Sequence, residues 1–429
     1  MSVPLVREYF TGLPCHLRAS CRFVFQLHVS VKDSLYQRRG VSASKEEVHA
    51  AIAKLDQGLY PHAFCRVFPD YLAQDPEWTC LSHADGAGTK SLLAYLYWRE
   101  TGNMEVWNAI AQDALVMNLD DLLCVGAYRH FVYTSTIGRN KRWIPAEVLK
   151  ALIEGTVACI DQLRAYGVDI HYVGGETADV GDLVRTLVVD GNMTVRWPKT
   201  RLVTNDRIRE GDVIVGLASF GQTIYEQTYN SGIGSNGLTL ARHELLHKSY
   251  LHDYPEACDL QLDAELQYTG PYRLSDKVSD DAYTLGDWLL SPTRTYAPFL
   301  KSLLEEHLDW IHGLIHCTGG GQTKLMRFLP EGLAAIKDRL FPLPPLFRLI
   351  RQVSSASWEE LFQVFNMGHR MEIITPEAHA EEIIRLAQTF HIEALVTGRI
   401  VKAEAGKPHL QIIHPDAGTI AYTLSGNGN

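Results

Sequence analysis

No stretch of this chain approaches the roughly 18 consecutive apolar residues that a membrane-spanning helix needs, so a bilayer-embedded protein is not expected. The early apolar segment 23–31 is interrupted by Gln26 and His28, which spoils it as the hydrophobic region of a secretion signal. Basic residues are also short: 40 Lys and Arg stand against 50 Asp and Glu, a formal net charge of −10, with no Lys/Arg run beyond Arg38-Arg39 or Lys141-Arg142. Without a basic stripe there is little to release counter-ions from a polyphosphate backbone, and nucleic acid is not an expected partner. Local cations still suffice for a small phosphorylated substrate. The eight cysteines, at 15, 21, 65, 80, 124, 159, 258 and 317, include no Cys-x-x-Cys pair. A zinc site is therefore not expected, and reduced thiols, mostly in the core of a cytoplasmic protein, are the default.

What the chain has is length and apolar content: 429 residues, 46% of them apolar, can fill two domain cores. Its most informative stretch is Ala84-Asp85-Gly86-Ala87-Gly88-Thr89-Lys90. Gly86 and Gly88 let backbone N–H groups approach phosphate oxygens, Asp85 suits a hard cation such as Mg²⁺, and Lys90 can offset phosphate charge. Short Gly/Asp/Thr turns are also common in α/β proteins without any such role. Three further patterns occur in order: Asp120-Asp121-Leu122, Gly174-Gly175-Glu176-Thr177-Ala178 and Thr318-Gly319-Gly320-Gly321.

Ser44 and Glu47 form a capping box, and Val48, Ile52, Leu55 and Leu59 recur at helical spacing, which predicts a helix with one buried face. Residues 104–125 predict a second helix, apolar on most sides and therefore buried. Asp113 and Asp120 lie nearly in line along it, with Asp121 turned about 80° away. Unpaired buried carboxylates are costly, so metal ions, an arginine or backbone donors must answer these three. For Asp113 and Asp120 a structural salt bridge or cap is the alternative to ligation. Pro145 opens a further helix and Gly167 closes it; 168–173 then reads as a strand that delivers Gly174-Gly175-Glu176 to its carboxyl end, where ligands gather in open α/β sheets. The two glycines could equally make only a tight turn. In the second half, strands are expected over 212–219 and 310–316, and a helix over 322–329 after the three glycines. Glycines ahead of a helix N-terminus offer an anion cradle for a ribose phosphate or an ATP phosphate, with a flexible turn as the plainer reading.

Taken in order, these motifs resemble the aminoimidazole ribonucleotide synthetase (phosphoribosylformylglycinamidine cyclo-ligase) family. The resemblance begins near Tyr36 and Gly40-Val41 and runs through residues 85–90, Asp120-Asp121-Leu122, residues 174–178 and Glu210-Gly211-Asp212-Val213. It continues through Ser235-Asn236-Gly237, Ser291-Pro292-Thr293-Arg294, residues 316–321 and Phe365-Asn366-Met367-Gly368. It implies an α/β fold of two domains: an ATP- and metal-binding domain over 33–204, whose sheet pairs with that of a second subunit in a homodimer, and an α/β sandwich over 205–429 carrying the glycine loop. Residues 1–32 precede the resemblance and show no sustained periodicity; an extension, a misassigned start or a poorly ordered tail would each account for them.

The implied reaction closes formylglycinamidine ribonucleotide to aminoimidazole ribonucleotide in purine synthesis. ATP phosphorylates the amide oxygen, otherwise a poor leaving group, and an internal nitrogen then attacks and expels phosphate. On this resemblance Asp85, Asp121 and Glu176 would hold Mg²⁺, while Lys54 and Lys90 would offset charge. Asp85, Gly86, Gly88, Thr89, Asp113, Gly174, Gly175, Thr177, Thr318, Gly319, Gly320 and Gly321 would hold the nucleotide, and Asn236, His369 and Arg370 would serve catalysis. A solvated surface lysine is the plainer reading of Lys54.

The chain departs from the family in several places. Asp120 replaces an asparagine, residues 222–233 are an insertion, and the histidine that precedes Ser235 in the family is Gly234 here. His243, His247 or Tyr225 could supply the missing group. His369-Arg370 stands where the family has an apolar residue and glycine; Arg370 could grip phosphate and His369 carry protons, or Arg370 could make a structural salt bridge. Residues 59–69 replace a glycine-rich stretch of the nucleotide lid. Two rivals remain: an ATP-using relative that phosphorylates a different small acceptor, and a nucleotide-binding regulatory protein. The retained acids at 85, 121 and 176 argue for an enzyme.

Overall fold

The computed structural model describes residues 34–43, 51–52, 54–259, 261–278, 283–405, 407 and 409–423. Residues 1–32, and most of the helix expected from Ser44 onward, lie outside these. Of that helix's expected buried stripe, Leu55 and Leu59 are 54% and 43% exposed, because the chain is no longer helical from Lys54 onward.

Two sheets organise the rest. The first has strands β1 (Phe68–Pro69), β2 (Trp78–Gly86), β3 (Phe131–Arg139), β4 (Ile170–Asp179) and β5 (Leu187–Pro198) in the order β1-β2-β5-β3-β4. All neighbours are antiparallel except β3 and β4. β5 shows why one face is covered: Leu187, Val189, Met193, Val195 and Trp197 alternate inward, while Val188, Asp190 and Asn192 point out. The inward face packs against α2 (Val106–Leu123), which comes after α1 (Lys90–Thr101); α3 (Ala146–Ala165) in turn packs on α2. Pro145 caps α3, and Gly167, at φ +80°, lies just past its end.

The second sheet joins β6 (Val213–Ala218), β7 (Gly313–His316), β8 (Leu333–Lys337), β9 (His369–Thr375), β10 (Ala394–Lys402), β11 (Leu410–His414) and β12 (Gly418–Tyr422) in the order β12-β11-β8-β10-β6-β9-β7. Between β6 and β7 in the chain comes α4 (Leu238–Leu245), and Glu377–Thr389 packs on β6 and β10. The core is continuous between the sheets: Leu115 and Leu119 of α2 share one apolar cluster with Val195 of β5 and Val215 of β6. A helix clasped from both sides must be apolar all round, which is the pattern residues 104–125 carry. Among the described residues no helix is long and apolar enough to cross a membrane.

Candidate active site

The three acids of α2 are each answered by protein groups. Asp113 takes the Lys90 ammonium at 2.9 Å and the Thr293 backbone N–H at 2.6 Å, with the Lys90 and Asp113 side chains fully buried. Asp120 accepts from the Thr295 hydroxyl at 2.7 Å and from Arg370 at 3.3 Å. Asp121 accepts from His316 Nδ1 at 2.5 Å and from His83 Nε2 at 3.1 Å. Burial would raise the Asp121 carboxyl, but the His83 charge and the hydrogen bonds from both imidazoles hold it well below its ordinary value. At Asp120 burial prevails over Arg370 and His316, and the carboxyl lies above its ordinary value.

These pairings correct several expectations. Lys90 also donates to the Ser291 carbonyl at 2.5 Å, and burial lowers its pKa despite Asp113. It is an internal cation joined to Asp113, so neither side chain is presented to a nucleotide. His369, fully enclosed, bonds Glu372 at 2.9 Å, and burial lowers its pKa. Arg370 spans His316 Nε2 at 2.5 Å, Asp120 and the Arg294 carbonyl, and lies over the Tyr296 ring. Both side chains are engaged inside the core, because an arginine sealed there must satisfy its donors with protein groups. Lys54 is exposed in a turn.

The expected carboxylate triad does not form within one chain. Along the first sheet Asp85 pairs with Gly191, Gly191 with Ser135 and Ser135 with Gly175. Glu176 therefore sits three strands from Asp85, roughly 14 Å at the usual strand spacing. It is exposed, and its row partners Thr136 and Asp190 are exposed too, whereas Asp85 alternates with buried Leu81 on the helix-facing side of β2. This donor set does not fit a single Mg²⁺. Nor does β4 end at the glycines. Gly174, Gly175, Glu176 and Thr177 lie exposed within an edge strand, at a register shift where a Cβ on Gly175 would fall 1.9 Å from the Ser135 carbonyl. Close backbone approach, rather than a phosphate turn, demands glycine there.

Other predicted residues are brought together. Asn236 Nδ2 donates to the Thr318 hydroxyl, and the Thr89 and Thr239 hydroxyls are 3.1 Å apart. The Thr89 end of the 84–90 stretch is thus tied to α4, the Ser235-Asn236-Gly237 turn just ahead of α4 is tied to the glycine loop, and the His316–Asp121 bond joins the end of β7 to α2. Gly319, Gly320 and Gly321 have φ of +54°, +138° and +50°, and a Cβ on Gly319 would meet nothing within 4 Å. That open, donor-bearing run fits a phosphate group. Beyond the glycines the chain forms a 3₁₀ turn, Gly321–Arg327, in place of the expected α-helix. Lys324 stands on it, over the Phe64 ring.

Three residues here were not singled out from sequence: Cys65, His83 and His316. The signal for His83 was its i, i+2 relation to Asp85, which puts both on one face of a strand. The insertion docks on the Ser291-Pro292-Thr293-Arg294 segment: Glu226 receives Arg294 at 2.6 Å, and Tyr225 donates to the Thr295 carbonyl at 2.8 Å. Tyr225 is thereby committed to packing.

The chain matches AIR synthase related protein, N-terminal domain, over residues 65–194, and AIR synthase related protein, C-terminal domain, over 209–411. Phosphoribosylformylglycinamidine cyclo-ligases of Methanocaldococcus jannaschii, Thermococcus kodakarensis and Symbiobacterium thermophilum are 30%, 32% and 30% identical to it, over 74%, 76% and 82% of this chain and 77%, 80% and 87% of theirs. Among solved structures, AaThiL complexed with AMPPCP and TMP is similar with a TM-score of 0.52 at 11% identity, covering 89% of this chain and 94% of that one. Phosphoribosylformylglycinamidine synthase II of Thermotoga maritima gives 0.51 at 13%, covering 90% and 50%. These last two are likenesses of fold. Two family matches that together take in most of the chain, and relatives alike over three quarters of its length, place this protein in the AIR synthase related family.

Proposed function

We propose that the protein is an ATP-dependent cyclo-ligase that closes formylglycinamidine ribonucleotide to aminoimidazole ribonucleotide, in the cytoplasm and as a homodimer. The names of its relatives support the reaction. The observation that carries the reading to this chain is the Asn236–Thr318 contact, which draws the substrate-turn and glycine-loop motifs to one place beside the Asp85 loop. Here residues 33–204 serve as the ATP domain and 205–429 supply the phosphate cradle. ATP transfers its γ-phosphate to the amide oxygen, the ring nitrogen attacks the activated carbon, and phosphate leaves with that oxygen. Backbone N–H groups of the Gly319–Gly321 run and of Gly88 hold phosphate oxygens, while Asn236 and Thr318 orient the substrate. Magnesium would enter as the counter-ion of the triphosphate, with half-exposed Asp85 as its protein carboxylate. In a dimer built by pairing the open faces of two first sheets, Glu176 would look toward the second copy.

Purified protein incubated with Mg-ATP and formylglycinamidine ribonucleotide tests this directly. Aminoimidazole ribonucleotide formed in step with ADP is the expected result. ADP formed only with another acceptor, or binding without turnover, would overturn it.

A further inference from the structure

We propose that Cys65, His83 and Asp121 form a binding site for a thiophilic first-row divalent cation of the Zn²⁺ class, separate from any magnesium carried by ATP. Cys65 Sγ, one ring nitrogen of His83 and one Asp121 carboxylate oxygen lie within 4.8 Å of one another. A cation equidistant from three atoms at that limit sits roughly 2.8 Å from each, so reaching the usual zinc distances of about 2.0–2.3 Å takes under about an ångström of side-chain movement. One thiolate, one imidazole and one carboxylate are a borderline-soft donor set, unlike the oxygen-only shell that magnesium prefers. The absence of a Cys-x-x-Cys pair hid this set, because its members come from three separated segments of the chain.

The surroundings orient each donor as metal sites require. Arg370 can only donate, so its contact with His316 Nε2 leaves the imidazole hydrogen on Nδ1, which points at Asp121 Oδ1. Asp121 Oδ2 is left toward His83. Asn118 donates its Nδ2 to the Asp85 and Ala114 carbonyls at 3.0 and 2.9 Å, which turns its Oδ1 the other way, beside His83. His83 Nδ1 and Asn118 Oδ1 are both buried, face one another and have no other hydrogen-bond partner. A cation on Nε2 suits that pairing: the imidazole keeps its hydrogen on Nδ1, directed at Asn118. The Cys65 thiol, now on the Asp121 carbonyl at 3.2 Å, loses its proton to solvent on coordination. A fourth position is left for water or a substrate oxygen. The other compact donor cluster among the described residues, Cys317, His369 and Glu372, differs in a decisive way, since the Lys337 ammonium 2.5 Å from Glu372 is already its cation.

The site stands independently of the cyclo-ligase reading, and its readout does not involve turnover. The full-length protein, stripped with chelator, is titrated with Co²⁺ and separately with Zn²⁺. One Co²⁺ per chain with a thiolate-to-cobalt charge-transfer band is expected, displaced by Zn²⁺ but not by excess Mg²⁺. Cys65→Ser should abolish the band, His83→Gln should weaken binding at least tenfold, and Asn118→Leu should weaken it about 10–100-fold. Should buried Cys65→Ser fail to fold, the wild-type spectrum and His83→Gln decide. Absence of the charge-transfer band in folded wild type, or an unchanged affinity in His83→Gln, overturns the proposal and leaves His83–Asp121 a plain ion pair.

Discussion

Arg370 lies directly over Gly234: a Cβ built on that glycine would come 3.3 Å from Arg370 Cδ and 3.7 Å from its Nε. The position where the resemblance leads one to expect a histidine and the Arg370 side chain thus share one region of space, filled from the arginine's side. Gly234 also has φ +68°, a left-handed conformation that side chains resist. Gly234→His should therefore fail to restore a family-like site. We expect it to destabilise by about 1–3 kcal/mol through strain and overpacking, read in urea unfolding, with no gain in ring closure.

Lys90 and Asp113 form an ion pair with no solvent on either side chain. Lys90→Met removes the cation and strands a buried carboxylate, at an expected cost of about 3–5 kcal/mol. Lys90→Met combined with Asp113→Leu should recover most of that loss. A double-mutant cycle in denaturant measures it; additive losses would instead assign Lys90 no structural partnership.

Within the glycine loop two substitutions separate folding from ligand binding. A Cβ on Gly321 would fall 2.4 Å from the Phe365 carbonyl, whereas one on Gly319 meets nothing within 4 Å. Gly321→Ala should destabilise the second domain visibly in thermal melts. Gly319→Ala should cost only about 1–2 kcal/mol, from its positive φ, yet weaken ATP or substrate binding, because a methyl group there crowds the phosphate. Equal binding by Gly319→Ala and wild type would remove the loop from the phosphate site.

On the open face of the first sheet Val132, Val173 and Val188 are 42%, 59% and 40% exposed. Apolar residues on a sheet face that the other described residues leave uncovered suit pairing with a second copy. Light scattering should give twice the chain mass for wild type and a monomer for Val132→Asp combined with Val188→Asp.

Local structure was legible in several places where periodicity carried it, though not at Leu55 and Leu59. The all-round apolar α2, the Pro145 start of α3 and the strand into the glycine loop can each be read from residue spacing. What spacing could not carry was partner choice across the fold. Asp113, Asp120 and Asp121 are identical side chains within nine positions, yet they meet a lysine, an arginine and two histidines that come from 23 to 250 residues away. Only tertiary packing decides which cation arrives, and so three acids for which metal ions, an arginine or backbone donors were all open partners became three separate pairings. Glu176 was misplaced for a related reason: a strand's length sets where its end falls, and β4 continues past its glycines because β3 pairs with it as far as Asp179.

His243 should govern part of the acid sensitivity. It lies buried in α4 and accepts the Tyr268 backbone N–H on Nδ1 at 3.1 Å. Burial, and then the nearby Arg242 and Arg39 charges, push its pKa from 6.5 down to about 2. The folded imidazole thus refuses a proton that the unfolded chain accepts below its ordinary value of 6.5. A lowered folded-state pKa means that this stabilisation is complete above pH 6.5 and is lost as pH falls toward about 2. The slope from this one group is at most about 1.4 kcal/mol per pH unit. His243→Gln, which keeps an acceptor but cannot take up a proton in this range, should have a lower Tm at neutral pH. It should also show a shallower fall between pH 6 and 4, the range in which the unfolded wild type gains its proton and the folded chain does not. Melting curves of both proteins across that range check the sign as well as the size: parallel curves would mean that His243 titrates alike in the folded and unfolded chains.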